Sequence, residues 1–282
     1  MDRRSFLQRT GALVAGGLAW SRAGYPALAS AADGHLSHIG VQLYTLRSIL
    51  GDDFAGTLEQ IAGVGYKNLE FAGYYGHTPA DVRKILDDLG LKARSGHFGM
   101  PMVQENPDTI IEGAVTLGME YVVVPALPTA MRADLDAYKT AAAAFNELGE
   151  KCKEAGVRFG YHNHGFEFEE LDGVLPYDVL LDETDPQLVV MELDLAWIEH
   201  AGKDPLAYFE RHPGRFPLWH LKDIDEEGEL ANVGAGRIDF PAIFAKAEQA
   251  GLHYGIVEHD RPGDDPVASI AASYAYLDDI LG

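Results

Sequence analysis

The chain alternates short apolar segments with longer helix-like stretches, and this alternation constrains the fold more than any other feature. Eight segments of strand length occur at residues 38–46, 66–73, 91–99, 119–126, 157–164, 188–195, 216–224 and 253–260. Several of the helices between them should end at a glycine in the left-handed conformation, namely Gly90, Gly118, Gly156 and Gly251. The pattern predicts eight strands that are connected by helices.

Eight strands alternating with helices in about 250 residues are typical of the α/β class and of a single-domain (β/α)8 barrel, or TIM barrel. We assign residues 32–282 to this domain. A doubly wound open sheet is the alternative, but no glycine-rich phosphate-binding turn follows the first apolar segment. The barrel is therefore the predicted fold.

The N-terminus has the features of an export signal. Arg3 and Arg4 precede the apolar run GALVAGGLAW, which resembles a twin-arginine signal. The run is only about ten to fifteen residues long, too short to span a bilayer comfortably, and small residues up to position 31 fit a cleavage site. We predict that residues 1–31 are a cleaved signal peptide, with an uncleaved anchor as the alternative. The mature protein should then be periplasmic or secreted, without membrane association.

Composition narrows the class of partner. The chain has 44 acidic and 22 basic residues and a formal net charge of −22. Nucleic acid is therefore not an expected partner, because phosphate binding needs a basic surface. Cys152 is the single cysteine, so it cannot form an intrachain disulfide and is expected in the core. A small molecule is the expected partner, and the sequence leaves open whether the protein forms a homo-oligomer.

Acidic residues and histidines stand at the ends of six predicted strands. They are Glu70, His97, His162, His164, Asp194, His220 and Glu258. The carboxyl ends of all strands in a (β/α)8 barrel meet at the mouth that holds the active site. Imidazole and carboxylate groups that converge there suit a divalent transition metal better than magnesium or calcium alone.

The segment FGYHNHGFEF, residues 159–168, places two histidines in one predicted strand. His162 and His164 are two residues apart, so their rings should lie on the same face. A histidine in such a position is also commonly a hydrogen-bonded core or surface residue. This segment alone leaves both interpretations open.

Three strand-end motifs and one loop carry a resemblance to a known family. They are MELDLAW with Asp194, WHLKD with His220, GIVEHD with Glu258 and the loop NVGAGRIDF with Arg237. With these residues the mature chain resembles the xylose isomerase-like barrel superfamily, which contains sugar phosphate isomerases and epimerases and an apurinic endonuclease family. The resemblance implies that Asp194, His220 and Glu258 help to bind one divalent ion of Mn, Co, Zn or Mg. It also implies that Arg237 faces the substrate.

Two positions depart from the family pattern. His162 stands where many relatives have a glutamate, so the fourth ligand is expected to be an imidazole, and Trp197 stands where many have a histidine. The first change removes one of the paired carboxylates that epimerases of the family use as opposed bases. The motif YHNHGFEF resembles instead the exported branch, which is associated with sugar isomerases and with lyases or hydratases of oxidised (3-keto) glycosides.

These reactions share the removal of a proton next to a carbonyl, with the metal stabilising the enediolate. We predict a metal-dependent sugar isomerase or epimerase in which His164 is the base, with Glu167 and His97 as alternatives. Glu258 is expected to be both a ligand and a catalytic carboxylate. Loss of a β-substituent would instead make the enzyme a lyase or hydratase, and the sequence leaves this alternative open.

Other residues near the mouth are expected to contact the sugar or glycoside: Glu70, Trp197, Lys222, Arg237 and Tyr44. Trp197 and Tyr44 could provide an apolar wall for a sugar ring. Glu192 and Lys222 lie two positions from Asp194 and His220, so both should point into the barrel. They could form a buried ion pair that orients the ligands, or act in catalysis.

Two other classes of function have to be weighed. A sugar-binding barrel without catalytic activity would be marked by loss of the ligand set, and that set is complete in this sequence. An apurinic endonuclease would need to bind DNA, which conflicts with the acidic net charge and with the export signal.

Overall fold

The computed structural model describes residues 35–282, so the predicted signal peptide lies outside the described residues. Each of the eight predicted apolar segments contains one barrel strand within this range. The strands are β1 (Ile39–Gln42), β2 (Asn68–Phe71), β3 (Lys92–His97), β4 (Tyr121–Val124), β5 (Arg158–His162), β6 (Val189–Asp194), β7 (Leu218–Leu221) and β10 (Tyr254–Val257), with the short strands β8 (Asp223–Ile224) and β9 (Leu230–Ala231) between the last two.

The eight longer strands close a parallel barrel in the order β1-β10-β7-β6-β5-β4-β3-β2. The barrel closes at β1, where Gly40 is opposite Asn68 of β2 on one side and Ile256 of β10 on the other. An open doubly wound sheet would leave two edge strands, each with a single neighbour. The prediction of a (β/α)8 barrel is therefore confirmed.

Helices surround the barrel and connect its strands. They are α1 (Arg47–Leu50), α2 (Phe54–Val64), α3 (Pro79–Leu89), α4 (Met100–Glu105), α5 (Pro107–Leu117), α6 (Leu135–Glu154), α7 (Pro176–Glu183), α8 (Leu195–His200), α9 (Pro205–Arg211), α10 (Phe240–Phe244), α11 (Ala247–Ala250) and α12 (Pro266–Leu281). Short 3-10 turns occur at His35–His38, Leu43–Leu46, Thr129–Arg132 and Phe166–Phe168. Within the described residues, none of the helices combines the length and apolar character that crossing a membrane requires.

The predicted glycine C-caps are confirmed. Gly90, Gly118, Gly156 and Gly251 have φ angles of +67°, +75°, +81° and +79°. This left-handed conformation turns the chain out of each helix at little steric cost, because glycine lacks a Cβ.

The barrel interior is filled in layers by alternate residues of the strands. Its lower part is apolar and is formed by Tyr121, Val123, Val190, Leu218, Tyr254 and Ile256. Gly40 leaves the space that the Ile256 side chain occupies, since a Cβ there would lie 2.9 Å from Cδ1 of Ile256. The same alternation carries the inward face from Ile256 to Glu258 and from Val190 to Glu192 and Asp194. Along these strands polar side chains therefore follow apolar ones toward the mouth.

The opposite face of the strands packs against the helices. Tyr161 and Cys152 are both fully buried in this outer layer, which confirms the expected core position of Cys152. Tyr161 precedes the inward-pointing His162 and faces outward, so the two sides of β5 have different environments.

The segment predicted as one strand at residues 216–224 is divided in the structure. β7 ends at Leu221, and β8 then pairs antiparallel with β9 to form a small hairpin at the mouth. The carboxylate of Asp223 accepts hydrogen bonds from the backbone N–H groups of Ile224, Gly234, Gly236 and Ile238. Asp223 therefore anchors both the hairpin and the glycine-containing loop that follows it.

Candidate metal centre and active site

The four predicted metal ligands lie together at the carboxyl ends of four strands. His162 and Asp194 are the last residues of β5 and β6, His220 lies on β7, and Glu258 directly follows β10. All four side chains are buried. Each offers a donor atom within 4.8 Å of the donor atoms of the other three. The neighbouring strands of a closed barrel bring these distant parts of the sequence to one point.

Hydrogen bonds orient two of these side chains toward a common centre. Nδ1 of His162 donates to the carbonyl oxygen of Pro125 at 3.1 Å, which leaves Nε2 facing Oδ2 of Asp194 at 3.2 Å. Nδ1 of His220 lies 2.8 Å from Oε2 of Glu258 and 3.9 Å from Oδ2 of Asp194. A backbone carbonyl that fixes a histidine ring is a common feature of metal-ligating histidines.

Three of the four groups are in the protonation state that suits a cation, namely neutral His162 and ionised Asp194 and Glu258. Burial and the proximity of His220 together lower the pKa of His162 to about 3, so the imidazole is neutral. Burial alone would raise the pKa of Glu258, but the Lys222 ammonium and His220 hold it well below its usual range.

Burial opposes protonation of His220, but Glu192, Glu258 and Glu70 raise its pKa well above the usual value, so a metal ion would have to displace a proton from this ring. Two imidazoles and two carboxylates are the nitrogen and oxygen donors that zinc, manganese and cobalt bind. The residues therefore fit a divalent metal ion.

A second group of convergent donors shares His220 with the first and consists of Glu70, His97, Glu192 and His220. Nε2 of His97 lies 2.6 Å from Oε2 of Glu192 and 3.0 Å from Oε1 of Glu70. Nε2 of His220 lies 2.6 Å from the same Glu70 oxygen. Burial opposes protonation of His97, but the two carboxylates raise its pKa to about 9. Glu70 was predicted to contact the substrate and His97 to be an alternative base. In the structure both side chains belong to this carboxylate–histidine group and contact its other members.

Lys222 is buried between carboxylates at the edge of the first group. Its Nζ lies 2.7 Å from Oε2 of Glu258, 3.1 Å from Oδ2 of Asp194 and 3.1 Å from Oδ2 of Asp260. Burial would lower the pKa of this ammonium, but Asp194 and Glu258 raise it well above its usual value. Glu192 and Lys222 both point inward, as expected, but Glu192 pairs with His97 and His220, whereas Lys222 pairs with the carboxylates.

His164 lies beside the first group, with its ring centroid 5.0 Å from that of His162. Its Nδ1 is buried and has no hydrogen-bond partner among the described residues. Burial lowers the pKa of His164 to about 4, so the ring is neutral at pH 7. His164 is therefore placed beside the candidate metal site with a ring nitrogen that the described residues do not engage.

Glu167 lies on the outer side of β5. Its Oε1 accepts a hydrogen bond from the hydroxyl of Tyr161 at 2.5 Å, and its Oε2 accepts one from the backbone N–H of His164 at 2.8 Å. Burial raises the pKa of Glu167 to about 7. The structure therefore places Glu167 where it holds the turn that carries His164, away from the four predicted ligands.

The predicted substrate-contacting residues lie at different depths. Trp197, on α8, is partly buried, with its ring centroid 5.7 Å from that of His164. Tyr44 is 43% exposed and has the guanidinium of Arg47 4.1 Å from its ring centroid. Arg237 is exposed on the loop after the hairpin, 3.8 Å from Glu199. Of these three, Trp197 is in ring contact with His164, whereas Tyr44 and Arg237 lie at the exposed rim.

Sequence reasoning missed two members of the site. Asp260, two residues after Glu258, accepts a hydrogen bond from Nζ of Lys222. Gln42, at the end of β1, donates from Nε2 to Oε1 of Glu70 at 2.8 Å. Gln42 could have been found by reading the end of the first strand for amides as well as for acids and histidines.

A closed parallel barrel that carries a buried His–Asp–His–Glu set at its mouth defines a (β/α)8 protein with a candidate metal centre at the usual active-site end. The chain belongs to the xylose isomerase-like TIM barrel family, whose profile matches residues 58–280.

Similarity to individual proteins extends over most of the chain. It is 25% identical over 267 residues to an inosose dehydratase of Lacticaseibacillus casei, which covers 80% of this chain and 89% of that protein. It is 30% identical to a solved sugar phosphate isomerase/epimerase of Parabacteroides distasonis ATCC 8503, with a TM-score of 0.72 and coverage of 84% and 94%.

A second solved structure is the IolI protein with a bound zinc atom, at 18% identity and a TM-score of 0.67, with coverage of 86% and 98%. At this identity the comparison shows the fold alone. The two more similar proteins carry names of sugar-modifying enzymes, which supports an enzyme of this kind.

Proposed function

We propose that the protein is a metal-dependent enzyme that removes a proton from the carbon next to the carbonyl of an oxidised sugar or glycoside. The observation that carries the proposal is the position of His164, whose buried and unpartnered Nδ1 adjoins the predicted metal ligand His162. A buried imidazole nitrogen without a hydrogen-bond partner lowers the stability of the folded protein. A sugar-binding barrel without catalytic activity would have no need for such a group beside the metal ligands.

His162, Asp194, His220 and Glu258 would hold the metal ion. A divalent cation held there would supply the positive charge that stabilises an enediolate as the substrate loses its proton. The carboxyl ends of the strands fix these four side chains before substrate arrives, so no reorganisation of the protein is needed to place the charge.

His164 is the base that the geometry favours among the three candidates. One oxygen of Glu167 accepts a hydrogen bond from the Tyr161 hydroxyl and the other accepts one from the backbone N–H of His164. Both carboxylate oxygens therefore already have hydrogen-bond partners within the protein. Nε2 of His97 is engaged by Glu70 and Glu192. Nδ1 of His164 has no such engagement, and the neutral imidazole can accept a proton at pH 7.

We propose that β-elimination follows. The electron pair of the broken C–H bond forms a C=C bond, and the C–O bond at the β-carbon breaks. The departing oxygen group takes a proton and leaves as water from an inosose or as an alcohol from a glycoside, and protonated His164 is one donor of that proton. Similarity to proteins named inosose dehydratase over 80% of the chain favours this outcome.

Isomerisation or epimerisation is the second candidate. It differs only in that the proton returns to a carbon of the sugar and no bond to oxygen breaks. Similarity to a structure named sugar phosphate isomerase/epimerase, at 30% identity, favours it. If export occurs as the sequence predicts, the substrate of either reaction would be a sugar or 3-keto-glycoside of the periplasm or the exterior.

Proton NMR in D₂O with metal-loaded protein would test the proposal. The substrates are 2-keto-myo-inositol, methyl 3-keto-β-D-glucopyranoside and D-fructose. We expect loss of the α-proton signal for at least one of them. A vinylic signal would then identify elimination, and a new ketose or epimer would identify the second candidate.

His164→Ala should slow this exchange by about 10²- to 10⁴-fold at unchanged metal content, which is the usual contribution of a positioned base. His212→Ala is the matched control, because His212 follows α9 at the opposite end of the barrel. Exchange at the wild-type rate in His164→Ala would refute its role as the base. No exchange with any of the three substrates would refute the proposed function.

A further inference from the structure

A cavity of about 430 Å³ opens beside the candidate metal centre, between α8, the β8–β9 hairpin and the loop after β10. The residues that form its walls include Trp197 of α8, Glu229 of the hairpin, and Asp260 and Arg261 after β10. None of the four predicted metal ligands is among them. A group that fills this cavity is therefore a different part of a ligand from the part that the metal ion would hold.

The cavity adjoins the metal centre through Lys222 and Trp197. Nζ of Lys222 contacts Asp260, which lines the cavity, and also Glu258, which belongs to the ligand set. Trp197, which also lines the cavity, has its ring centroid 5.9 Å from the same Nζ and 5.7 Å from the His164 ring centroid. A ligand bound at the metal centre could therefore extend directly into the cavity.

The walls combine a flat apolar surface with polar groups. The indole ring of Trp197 offers a face on which a ring can stack, and its buried Nε1–H has no hydrogen-bond partner among the described residues. Arg261 and Glu229 meet across the rim at 2.9 Å and are 69% and 66% exposed. An ion pair this exposed contributes little to stability, so both groups can turn toward a ligand hydroxyl at small cost.

We infer that this cavity is a second subsite, which binds the sugar or aryl ring attached to the carbonyl-bearing ring at the metal centre. The inference rests on the proposed function and specifies its substrate class as a two-ring glycoside rather than a free monosaccharide. The volume lies within the range of about 300 to 1,000 Å³ that is typical of small-molecule sites. Trp197 would be the residue that sets specificity for the second ring.

Calorimetric titration of the metal-loaded protein with two probes would test the subsite. Methyl β-D-glucopyranoside carries one ring and 4-nitrophenyl β-D-glucopyranoside carries two. We expect the two-ring probe to bind about tenfold more tightly, as stacking on an indole ring would give. Trp197→Ala should abolish this difference, lowering the affinity for the two-ring probe about tenfold more than that for the one-ring probe, at unchanged metal content.

Arg261→Ala should also reduce the preference, and Arg83→Ala is its matched control because Arg83 forms an exposed pair with Asp87 on α3. Equal affinities for the two probes, or a preference that survives in Trp197→Ala, would overturn the subsite. If α-proton exchange on a one-ring keto-sugar is still observed, the proposed function stands without the subsite. If neither probe binds and no exchange occurs, both fail.

Discussion

Nζ of Lys222 lies 2.7 Å from Oε2 of Glu258, so a buried ammonium contacts one of the four predicted metal ligands. The same ammonium contacts Asp194, a second predicted ligand, and also Asp260, which is not in the ligand set. A divalent ion bound by Asp194 and Glu258 would therefore lie close to the positive charge of Lys222, which contacts the same two carboxylates. Asp260 offers the ammonium a partner that the metal ion does not use.

Lys222→Met should affect metal affinity and metal-free stability in opposite directions. Removing a positive charge next to Asp194 and Glu258 should strengthen zinc or manganese binding by at least about tenfold. Without metal, the buried carboxylates lose their partner, and the free energy of unfolding should fall by about 3 kcal/mol. Calorimetry and urea unfolding measure the two effects.

Lys84→Met is the control for this variant, because Lys84 forms an exposed pair with Asp88 on α3. It should change neither quantity appreciably. Weaker metal binding in Lys222→Met would show that Lys222 supports the site instead of competing with the cation.

Asp194→Ala and Glu258→Ala should each lose bound metal. Each substitution removes one of four donors and one of the two negative charges of a buried set, which weakens its binding of a cation. Elemental analysis of purified protein measures the metal content, with Asp87→Ala on the surface of α3 as control. Metal content equal to that of the wild type in both variants would rule out this ligand set.

Glu167→Ala should lower the rate of α-proton exchange while metal content stays unchanged. The substitution leaves the Tyr161 hydroxyl and the His164 N–H without their acceptor, so the turn that carries His164 loses its support. Each buried group left without a partner costs about 1 to 3 kcal/mol. We expect kcat to fall more than KM rises, since the base is displaced and substrate contacts remain.

Two further variants complete this test. Glu167→Gln retains an amide oxygen for the His164 N–H and should recover part of the activity. Glu170→Ala, at an exposed position of the same loop, is the control. A loss of activity in Glu167→Ala that Glu167→Gln does not restore at all would instead indicate that the carboxylate itself takes part in the chemistry.

His253 should make stability depend on pH below neutrality. His253 lies at the end of the barrel opposite the active site, where burial and the nearby Arg158 together lower its pKa to about 4. Between pH 6.5 and about 4 the unfolded chain binds a proton at this residue and the folded protein does not, so stability falls as pH decreases through this range.

Urea unfolding at pH 7 and pH 5 would measure this dependence. His253→Gln should lose less stability than the wild type between the two pH values, with His77→Gln at an exposed position as control. An unchanged difference between the two pH values in His253→Gln would show that other groups dominate the pH dependence.

Export remains a prediction from the sequence. If residues 1–31 are a cleaved twin-arginine signal, replacing Arg3 and Arg4 by lysine should leave the precursor in the cytoplasm. Immunoblots of cytoplasmic and periplasmic fractions, with N-terminal sequencing of the mature form, measure this. Mature protein in the periplasm of the double variant would overturn the assignment.

The alternation of apolar and helical segments was sufficient to predict the barrel, because strand and helix periodicities are local properties of the chain. The left-handed glycines after α3, α5 and α11 were also predictable, since a helix end and a residue without Cβ are adjacent in sequence. The strand ends carried several acids and histidines, and the resemblance to a known family singled out His162, Asp194, His220 and Glu258 among them as ligands. Their convergence then followed from the closed barrel.

The tertiary structure alone decided how these side chains are used. Whether Lys222 pairs with Glu192 or with Glu258 depends on which strands become neighbours and on how far each side chain reaches across the barrel. Glu167 is three residues from His164 in sequence, but a turn directs its carboxylate to the outer side of β5. The cavity beside Trp197 depends on the hairpin that Asp223 anchors through backbone groups distant along the chain. Local periodicity fixes the face of a side chain, whereas its partners are set by the packing of segments that are remote in sequence.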